Sequence, residues 1–499
     1  MDLLPYEILC KIASYLAYSQ DPERKPFYAS GPWDSPNLAL YSTISRKWQV
    51  VVEHIIWEWV LLLKADSTAK LAEYTRGSPA RHARVGYIRH ILWEVQVSTS
   101  QIEQTFHDHF WDRAKKLVAC HTQQFCISLL PLFQVLHSWD RQNPGLELIL
   151  SECEPVSLPF YGREAGNNVS LYDMKHLYVA GRHPMMFYLT AKNLKRFPKP
   201  RCITSLQISK ITPLFIWPSA VLQIVNILPN VNDVSFINFV WEDTFHKALS
   251  DLREDTAKHL AQVPRSVETF RYTSCFSQRH CYNPTGNSIN CLMGSDKLDN
   301  HSIALRKFST QLRELRLHNV RISSALFWPS GENDTDTPYW PKLEVIKVLD
   351  IPPLNADGTW MIHNDPLKVV GCAELARQMW AAWRNPYSAG RWYGQRGLIQ
   401  STEVDTLYQA MGKAAHQMPR LRLLESSFCT ESDVSRECLR FERDDLTGHG
   451  HLIITTEWKY RLGEEVISAW GLEGKKAEEF RRTWNVRYPW HPCRSDKWE

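Results

Sequence analysis

The sequence predicts an α/β protein with an N-terminal three-helix unit, a long irregular solenoid of strand–helix repeats, and a small α+β cap at the C-terminal end. Two observations predict this architecture. An amphipathic segment with two spaced tryptophans occupies roughly the first 60 residues, and one short apolar pattern then returns along the chain. The 499 residues are also too many for a single hydrophobic core, which indicates several units or an elongated repeat.

The first helix is predicted at the N-terminus, where Pro5 occupies the first turn and its missing N–H costs nothing. Ile8, Ile12 and Leu16 recur four residues apart, so they share one face of this helix. A helix of this length is not stable alone and must bury an apolar face against a partner.

A second helical segment is predicted after residues 17–36, which contain four prolines and a charged run. Ser35 is a suitable N-cap, with Pro36 at the first helical position. Further on, apolar residues at helical spacing predict a helix that continues to residue 63. These residues are Val52, Ile55, Ile56, Trp59, Val60 and Leu63.

From residue 88 onward, one apolar pattern recurs along the chain. In each copy, apolar residues occupy positions i, i+3 and i+5. The last two positions predict a strand whose alternate side chains point inward, and the first indicates the turn that enters it. The copies start at Ile88, Met174, Ile203, Val231, Val267, Leu312 and Leu343, with a weaker copy at Leu421 and a further strand at 146–150.

Helical patterns lie between several of these strands, and Pro229, Pro341 and Pro419 stand just before three of them. Proline at such a position ends the preceding helix. The alternation fits a solenoid, but it also fits a doubly wound parallel sheet. Most copies start about 28 to 36 residues apart and no phosphate-binding loop is present, which favours the solenoid.

After Ser426 the pattern changes to two alternating segments, at 438–442 and 451–458, followed by a short helical segment from Glu464. We interpret this region as the cap that covers the last open repeat, which every solenoid needs. The predicted domains are therefore residues 1–64 for the helical unit with its insertion at 17–36, 65–427 for the repeats, and 428–499 for the cap.

The N-terminal segment resembles the F-box, whose pattern is Leu-Pro-x-Glu-Ile-Leu, then Ile and Leu, then two spaced tryptophans. The insertion at 17–36 is longer than the usual F-box connection. The repeats resemble leucine-rich repeats, and the layout is similar to that of fungal F-box proteins of undefined substrate. The matching positions are Leu4, Pro5, Glu7, Ile8, Leu9, Ile12, Leu16, Trp48 and Trp57.

This resemblance implies a substrate-recognition subunit of a Skp–cullin–F-box ubiquitin ligase that is not itself an enzyme. The F-box would bind the Skp adaptor, and through it a cullin, while the repeats hold an unknown protein substrate. An F-box-fold scaffold that acts without ubiquitin ligation, and a hydrolase or transferase hidden in the repeats, remain alternatives. The adaptor contacts implied are Leu4, Pro5, Ile8, Leu9, Ile12, Leu16, Trp48 and Trp57, some of which must also hold the helices together.

Composition limits the classes of partner and the compartment. The net charge of +4, from 58 basic and 54 acidic residues, gives no general argument for nucleic acid or a membrane surface. The N-terminus has no signal-peptide pattern, and no apolar run is long enough for a membrane span. The twelve cysteines are scattered without paired spacing, so we expect reduced thiols and a cytoplasmic or nuclear protein.

No catalytic constellation and no cofactor motif emerges from the sequence. Cys275, His280, Cys281, Cys291 and His301 contain zinc-ligand residue types, but their spacing fits loop thiols better than a metal site. The loop at 384–397 combines cations with aromatic rings. It could pack onto the scaffold, bind a protein partner or, less favourably, stack on nucleic-acid bases. Its candidate residues are Arg391, Trp392, Tyr393 and Arg396.

Overall fold

The strands predicted from the recurring apolar pattern lie side by side in one open sheet. The computed structural model describes residues 4–18, 43–63, 66–94, 110–139, 145–151, 186–187, 189, 191–208, 215–240, 246–276, 291–294, 297–329, 337–352, 354–364, 396–428, 438–456, 460–474, 478–480 and 483–490.

Strands and helices alternate along most of the chain, which confirms the α/β class. The strands are β1 (Trp59–Leu62), β2 (His90–Glu94), β3 (Leu146–Ser151), β4 (Met186–Phe187), β5 (Ile203–Ile208), β6 (Phe215–Ile216), β7 (Asp233–Val240), β8 (Thr269–Phe276), β9 (Glu314–His318), β10 (Val345–Ile351), β11 (Ile362–Asn364), β12 (Arg396–Ile399), β13 (Leu423–Phe428), β14 (Cys438–Arg443), β15 (His449–Thr455), β16 (Glu478–Phe480) and β17 (Thr483–Pro489). The helices are α1 (Tyr6–Tyr18), α2 (Arg46–Glu58), α3 (Ser67–Thr75), α4 (Pro79–Val85), α5 (Phe110–His137), α6 (Ala191–Leu194), α7 (Pro218–Asn226), α8 (His246–Leu260), α9 (Asn300–Ser309), α10 (Ser401–His416) and α11 (Glu464–Ala469).

The main sheet follows the order of the chain. In its described part, β1, β2, β3, β5, β7, β8, β9, β10 and β13 pair in parallel, each with the next. Antiparallel strands β14, β15, β17 and β16 then complete it. A doubly wound sheet reverses its strand order at one point. The parallel strands here never reverse, so each repeat pairs with the repeats next to it in the chain.

The recurring apolar positions form the inner face of this sheet. In each described copy, all the pattern positions are buried. In four copies the first position also closes a short turn by donating its N–H to the carbonyl three residues earlier. Four such turns join a helical segment to the strand after it. They are Leu228–Val231, Pro264–Val267, Ser309–Leu312 and Met418–Leu421. The copy that starts at Met174 lies outside the described residues.

Backbone hydrogen bonds link neighbouring repeats directly after these turns. The Glu268 carbonyl accepts the N–H groups of Arg313 at 2.7 Å and Glu314 at 3.0 Å. The Glu344 carbonyl accepts those of Arg422 and Leu423 in the same way, at 2.8 and 3.1 Å. One carbonyl thus satisfies two donors of the next repeat, and the strands enter the sheet in fixed register.

Described helices pack on the inner face of the sheet. Phe308 on α9 contacts Phe270 on β8 edge-on, with ring centroids 5.0 Å apart, and Phe125 on α5 contacts Trp93 on β2 at 5.8 Å. Phe270 and Trp93 occupy inward strand positions. The side chains between the inward positions point to the other face, where most are half-buried or exposed.

Several elements differ from the sequence prediction. The predicted helix through residue 63 is wrong, because α2 ends at Glu58 and Trp59 begins strand β1, which pairs with β2. The sheet therefore begins inside the predicted residues 1–64. The helix α5 was not predicted, and neither were β16 and β17, which lie in or beside the charged segment near residue 480.

The C-terminal region extends the sheet beyond the last parallel strand. β14 pairs antiparallel with β13, and β15 pairs with β14. Trp470 at the end of α11 is fully buried and its Nε1 donates to the Tyr408 carbonyl of α10 at 3.0 Å. The indole therefore fixes the cap to the last long helix of the repeats.

Candidate partner-binding surfaces

The N-terminal helices α1 and α2 have a small core that is separate from the main one. Leu9 and Ala13 on α1 face α2 and are fully buried against it. Ser45 begins α2 as its N-cap, with its Oγ accepting the Trp48 N–H at 3.3 Å. The core residues of the pair are Leu9, Ala13, Trp48, Val51 and Val52.

The first helix also carries apolar side chains outside this core. Ile8 is 40% exposed and Ile12 is 38% exposed, and their spacing places them on one side of α1, next to the buried face. Tyr6 at the start of the helix is 46% exposed. Ile8 and Ile12 are not among the core residues of the pair, and we call these two side chains the α1 apolar row.

The helical pair is fixed to the first repeat through α2 and α4. The Arg84 guanidinium on α4 forms an ion pair with Glu53 at 3.2 Å and lies over the Trp57 ring at 5.2 Å. Trp57 in turn contacts the Tyr74 ring edge-on. The ion pair is about one-fifth exposed on both sides, so its strength is reduced by solvent. We call these contacts the α2–α4 joint.

The residues predicted to contact the adaptor lie in several different environments. Leu9 and Trp48 lie in the core of the pair, and Trp57 lies in the α2–α4 joint, so these three have packing roles. Ile8 and Ile12 are available at the surface. Pro5 is exposed and Leu4 packs partly on the small core. The side chain of Leu16 lies outside the described residues, as does residue range 19–42.

The predicted loop at 384–397 lies almost entirely outside the described residues. Arg391, Trp392 and Tyr393 are among the residues not described. Arg396 begins β12 and pairs with Asn364 of β11.

The outer face of the sheet, opposite the described helices, carries a chain of charges across three strands. Arg271 on β8 contacts Asp233 on β7 at 3.0 Å and Glu314 on β9 at 3.2 Å. Glu314 also contacts Arg316, which is directly beside Arg271 in register. Burial raises the pKa of Asp233, and the nearby Arg271 opposes that effect. Opposite charges thus separate cations that would otherwise repel each other across the strands.

The same face continues with two further ion pairs and changes character toward the N-terminus. Lys347 on β10 contacts Glu425 on β13 at 3.0 Å, and His318 contacts Asp350 at 2.8 Å. On β1 to β3, the outward positions are apolar at Leu61, Leu92 and Ile149. We call the polar part, from β7 to β14, the outer charged face.

A cluster of charged side chains is buried among the helices instead of facing solvent. Arg253 on α8 pairs with Asp299, the N-cap of α9, at 2.7 Å, and its Nη1 donates to the Arg321 carbonyl at 2.7 Å. Asp299 also accepts from the Ser323 hydroxyl at 2.8 Å. The guanidinium thus binds a backbone carbonyl and the carboxylate a serine hydroxyl of the irregular segment after β9, whose described part includes a short 3-10 helix at Ser324–Leu326.

The protonation of this cluster follows from its burial. Burial alone raises the pKa of Asp299, but the Arg253 charge, His301 and the hydrogen bonds from Ser302 and Ser323 together outweigh it, and the pKa falls to about 2. Burial lowers the pKa of His301 to about 3, and Arg253 adds to this effect. At neutral pH the Arg253 guanidinium is therefore positively charged and the Asp299 carboxylate is negatively charged, while the His301 imidazole beside them is uncharged.

We expect the free energy of unfolding to fall as pH drops from about 6.5 toward 3. In this range His301 binds a proton in the unfolded chain but stays neutral in the folded chain, where its pKa is lowered. Urea unfolding at a series of pH values would measure this slope. His301→Leu should flatten it, whereas His82→Gln, at an exposed histidine, should leave the slope unchanged. An equal slope in wild type and His301→Leu would contradict the assignment.

Ser219, Asp255 and His259 lie close together where α7 packs on α8, but they are not arranged as a catalytic triad. Asp255 on α8 accepts hydrogen bonds from Ser219 and from Trp217 Nε1. The His259 Nδ1 contacts the Asp255 carbonyl, and its Nε2 contacts Gln223. The His259 imidazole does not contact the Ser219 hydroxyl, so it is not placed to act as the general base for a nucleophilic serine. These contacts join α7 to α8.

The cysteine and histidine residues considered above as zinc ligands do not lie together where the structure describes them. His301 lies in the buried cluster beside Arg253, Cys291 is exposed, and His280 and Cys281 are outside the described residues. Across the described ranges, no three His, Cys, Asp or Glu residues group as metal ligands. Nor does any helix in those ranges have the length and apolar character of a membrane span.

Comparison with known proteins adds no family assignment. No family model matches the sequence, and the search of curated proteins finds no match to it.

Proposed function

We propose that this chain is the substrate-recognition subunit of a Skp–cullin–F-box ubiquitin ligase. In this proposal α1 and α2 are the F-box that binds the Skp adaptor, and the strand–helix units are irregular leucine-rich repeats. The chain is then not an enzyme. It raises the local concentration of substrate lysines near a conjugating enzyme held by the cullin, in the cytoplasm or nucleus.

The α1 apolar row is the observation that carries the proposal. A helix that only capped the sheet would expose polar residues on the side away from its core. Here Ile8 and Ile12 remain accessible although Leu9 and Ala13 already hold the helix in place. Exposed apolar side chains grouped on one helix mark contact sites for another protein.

The strand order supports the repeat assignment. Parallel strands in chain order, with helices on one face, are what stacked strand–helix units produce. The position after the last paired residues of β9 and β10, His318 and Leu349, is also equivalent, because Asn319 and Asp350 both have left-handed backbone, with φ of 57° and 50°. Asn and Asp tolerate that conformation better than most residues.

The outer charged face is the surface that we assign to the protein substrate. It spans several repeats and presents cations and carboxylates that are half-exposed, such as Arg271 and Asp233. Side chains on rigid strands can select a partner by the order of their charges. This surface is far from the α1 apolar row along the chain, so adaptor and substrate would contact different units.

The adaptor assignment predicts that Ile8→Asp with Ile12→Asp weakens binding to purified Skp at least a hundredfold. Buried anchors of such interfaces contribute about 2 kcal/mol or more each, and 1.4 kcal/mol is tenfold in affinity. Calorimetry or co-purification would measure the loss. Neither side chain belongs to the small core, so circular dichroism should be unchanged.

Val50→Asp is the matched control, since Val50 is 44% exposed on α2 and lies on the side away from Trp48. It should bind Skp like the wild type. A folded double variant with wild-type affinity would refute the adaptor assignment. If the wild type captures Skp but no cullin, the scaffold function is favoured instead.

A further inference from the structure

The loop between α3 and α4 presents a serine with the features of a kinase acceptor. Ser78 is exposed and is followed by Pro79, and Arg81 lies three positions after the serine. Its backbone is extended, with φ of −105° and ψ of 155°. The preceding Gly77 has φ of +102° and nothing within 4 Å of where a Cβ would stand, so the loop projects from the surface.

The hydroxyl of Ser78 is only weakly engaged. Its Oγ accepts the Arg81 N–H at 3.3 Å as the N-cap of α4. In that contact the oxygen is the acceptor, and the Ser78 residue is exposed. The oxygen is therefore accessible to an incoming phosphoryl group without the opening of any buried contact.

The first turn of α4 can unfold locally when a kinase binds this segment. An acceptor segment must lie extended in a kinase active site, which requires Pro79 to Arg81 to leave the first turn of α4. That helix has seven residues, and residues 79, 80, 82 and 83 are exposed. A helix this short has little stability of its own, so opening its first turn costs little.

The charge around Ser78 suits a phosphate. Arg76 is exposed two residues before it, and Arg81 now donates to the Glu73 carbonyl at 3.0 Å. A phosphate carries nearly two negative charges and forms charge-assisted hydrogen bonds with guanidinium groups. Arg81 could exchange a neutral carbonyl for this stronger acceptor.

We propose that Ser78 is a phosphorylation site for a proline-directed serine/threonine kinase, placed at the start of α4, the helix that contributes Arg84 to the α2–α4 joint. The Ser78 oxygen attacks the γ-phosphorus of ATP, the bond to the β-phosphate oxygen breaks, and ADP leaves as the hydroxyl proton is released. The modified helix is α4, which carries the Arg84 that holds Glu53 and Trp57. Phosphorylation thereby acts on the helix that joins the N-terminal pair to the repeats.

The sequence provides an internal comparison. Serine or threonine precedes proline at Ser35, Ser78, Thr212 and Thr337, and only Ser78 has a basic residue three positions later. Thr337 is exposed like Ser78, but Trp340 occupies the third position after it and is buried. A kinase that needs both proline and the following cation should therefore distinguish the two sites.

Incubating the full chain with a purified proline-directed kinase and ATP tests the proposal, with phosphopeptide mapping as the readout. We expect one phosphate at Ser78, at least tenfold faster than at Thr337. Ser78→Ala should abolish it. Arg81→Ala, which keeps the serine and proline, should slow it at least tenfold while circular dichroism shows the fold retained.

Two results would overturn the proposal. One is an unmodified Ser78 in the folded chain, including the case where a synthetic peptide of residues 70–88 is phosphorylated and the folded chain is not. The other is equal labelling of Ser78 and Thr337. Both readouts are independent of Skp binding, so they separate this inference from the proposed function.

Discussion

Replacing Arg253 by methionine is expected to lower the free energy of unfolding by about 3–5 kcal/mol. The methionine fills much of the same space but leaves the Asp299 carboxylate charged and almost completely buried. It also removes the donor to the Arg321 carbonyl. Urea unfolding followed by tryptophan fluorescence would measure the change.

Lys258→Met on the same helix is the matched control. Lys258 pairs with Glu254 one turn away, but both side chains are more than half exposed. Exposed pairs of this kind contribute little to stability, because solvent screens the two charges. If Arg253→Met and Lys258→Met had equal effects, the buried pair would not be the structural contact described above.

The second large effect is expected at Phe270, whose truncation to alanine should cost about 3–5 kcal/mol. Its ring lies in the centre of the inner face, between Phe236 at 5.7 Å and Phe308 at 5.0 Å. The substitution opens a cavity between β7, β8 and α9, and the neighbouring rings lose their edge-on contacts. The same urea titration applies.

Thr269→Ala tests the alternation of the strand one residue away. Thr269 points to the outer face and is half-buried, so its truncation should change the free energy of unfolding by about 0.5 kcal/mol or less. A loss at Thr269 as large as that at Phe270 would contradict the assignment of the two faces.

Strand positions were the most predictable part of the fold. Every described copy of the apolar pattern is buried, because alternate positions of a strand must face one side and only apolar residues are stable there. The pattern could not choose between a solenoid and a doubly wound sheet. That choice depends on which strands pair, and the side-chain period is the same in both.

The errors in the elements have local physical causes. Val60 and Leu63 continue the helical spacing of α2, but a short apolar run fits a strand equally well, and pairing with β2 decides the outcome. The charged segment near β16 gave no alternating pattern. There, Glu478 to Phe480 form a strand by pairing with residues Thr483 to Asn485.

The candidate surface was predicted only in part. Leu9 and Ile8 are adjacent apolar residues of α1, and only the position of α2 determines that Leu9 is buried and Ile8 exposed. The buried Arg253–Asp299 pair was missed, since nothing in the sequence brings α8 beside the N-terminus of α9. A clue was available in the residue type, because Asp299 directly precedes a helical segment and is a favourable N-cap.

The order of the parallel strands has a mechanical consequence. Since each unit touches little beyond its two neighbours, a disturbance in one unit weakens with every unit it must cross. Fraying can start at β1 and stop part-way, leaving the C-terminal units intact. The chain would then respond to heat or force in steps, and its two ends would report different midpoints.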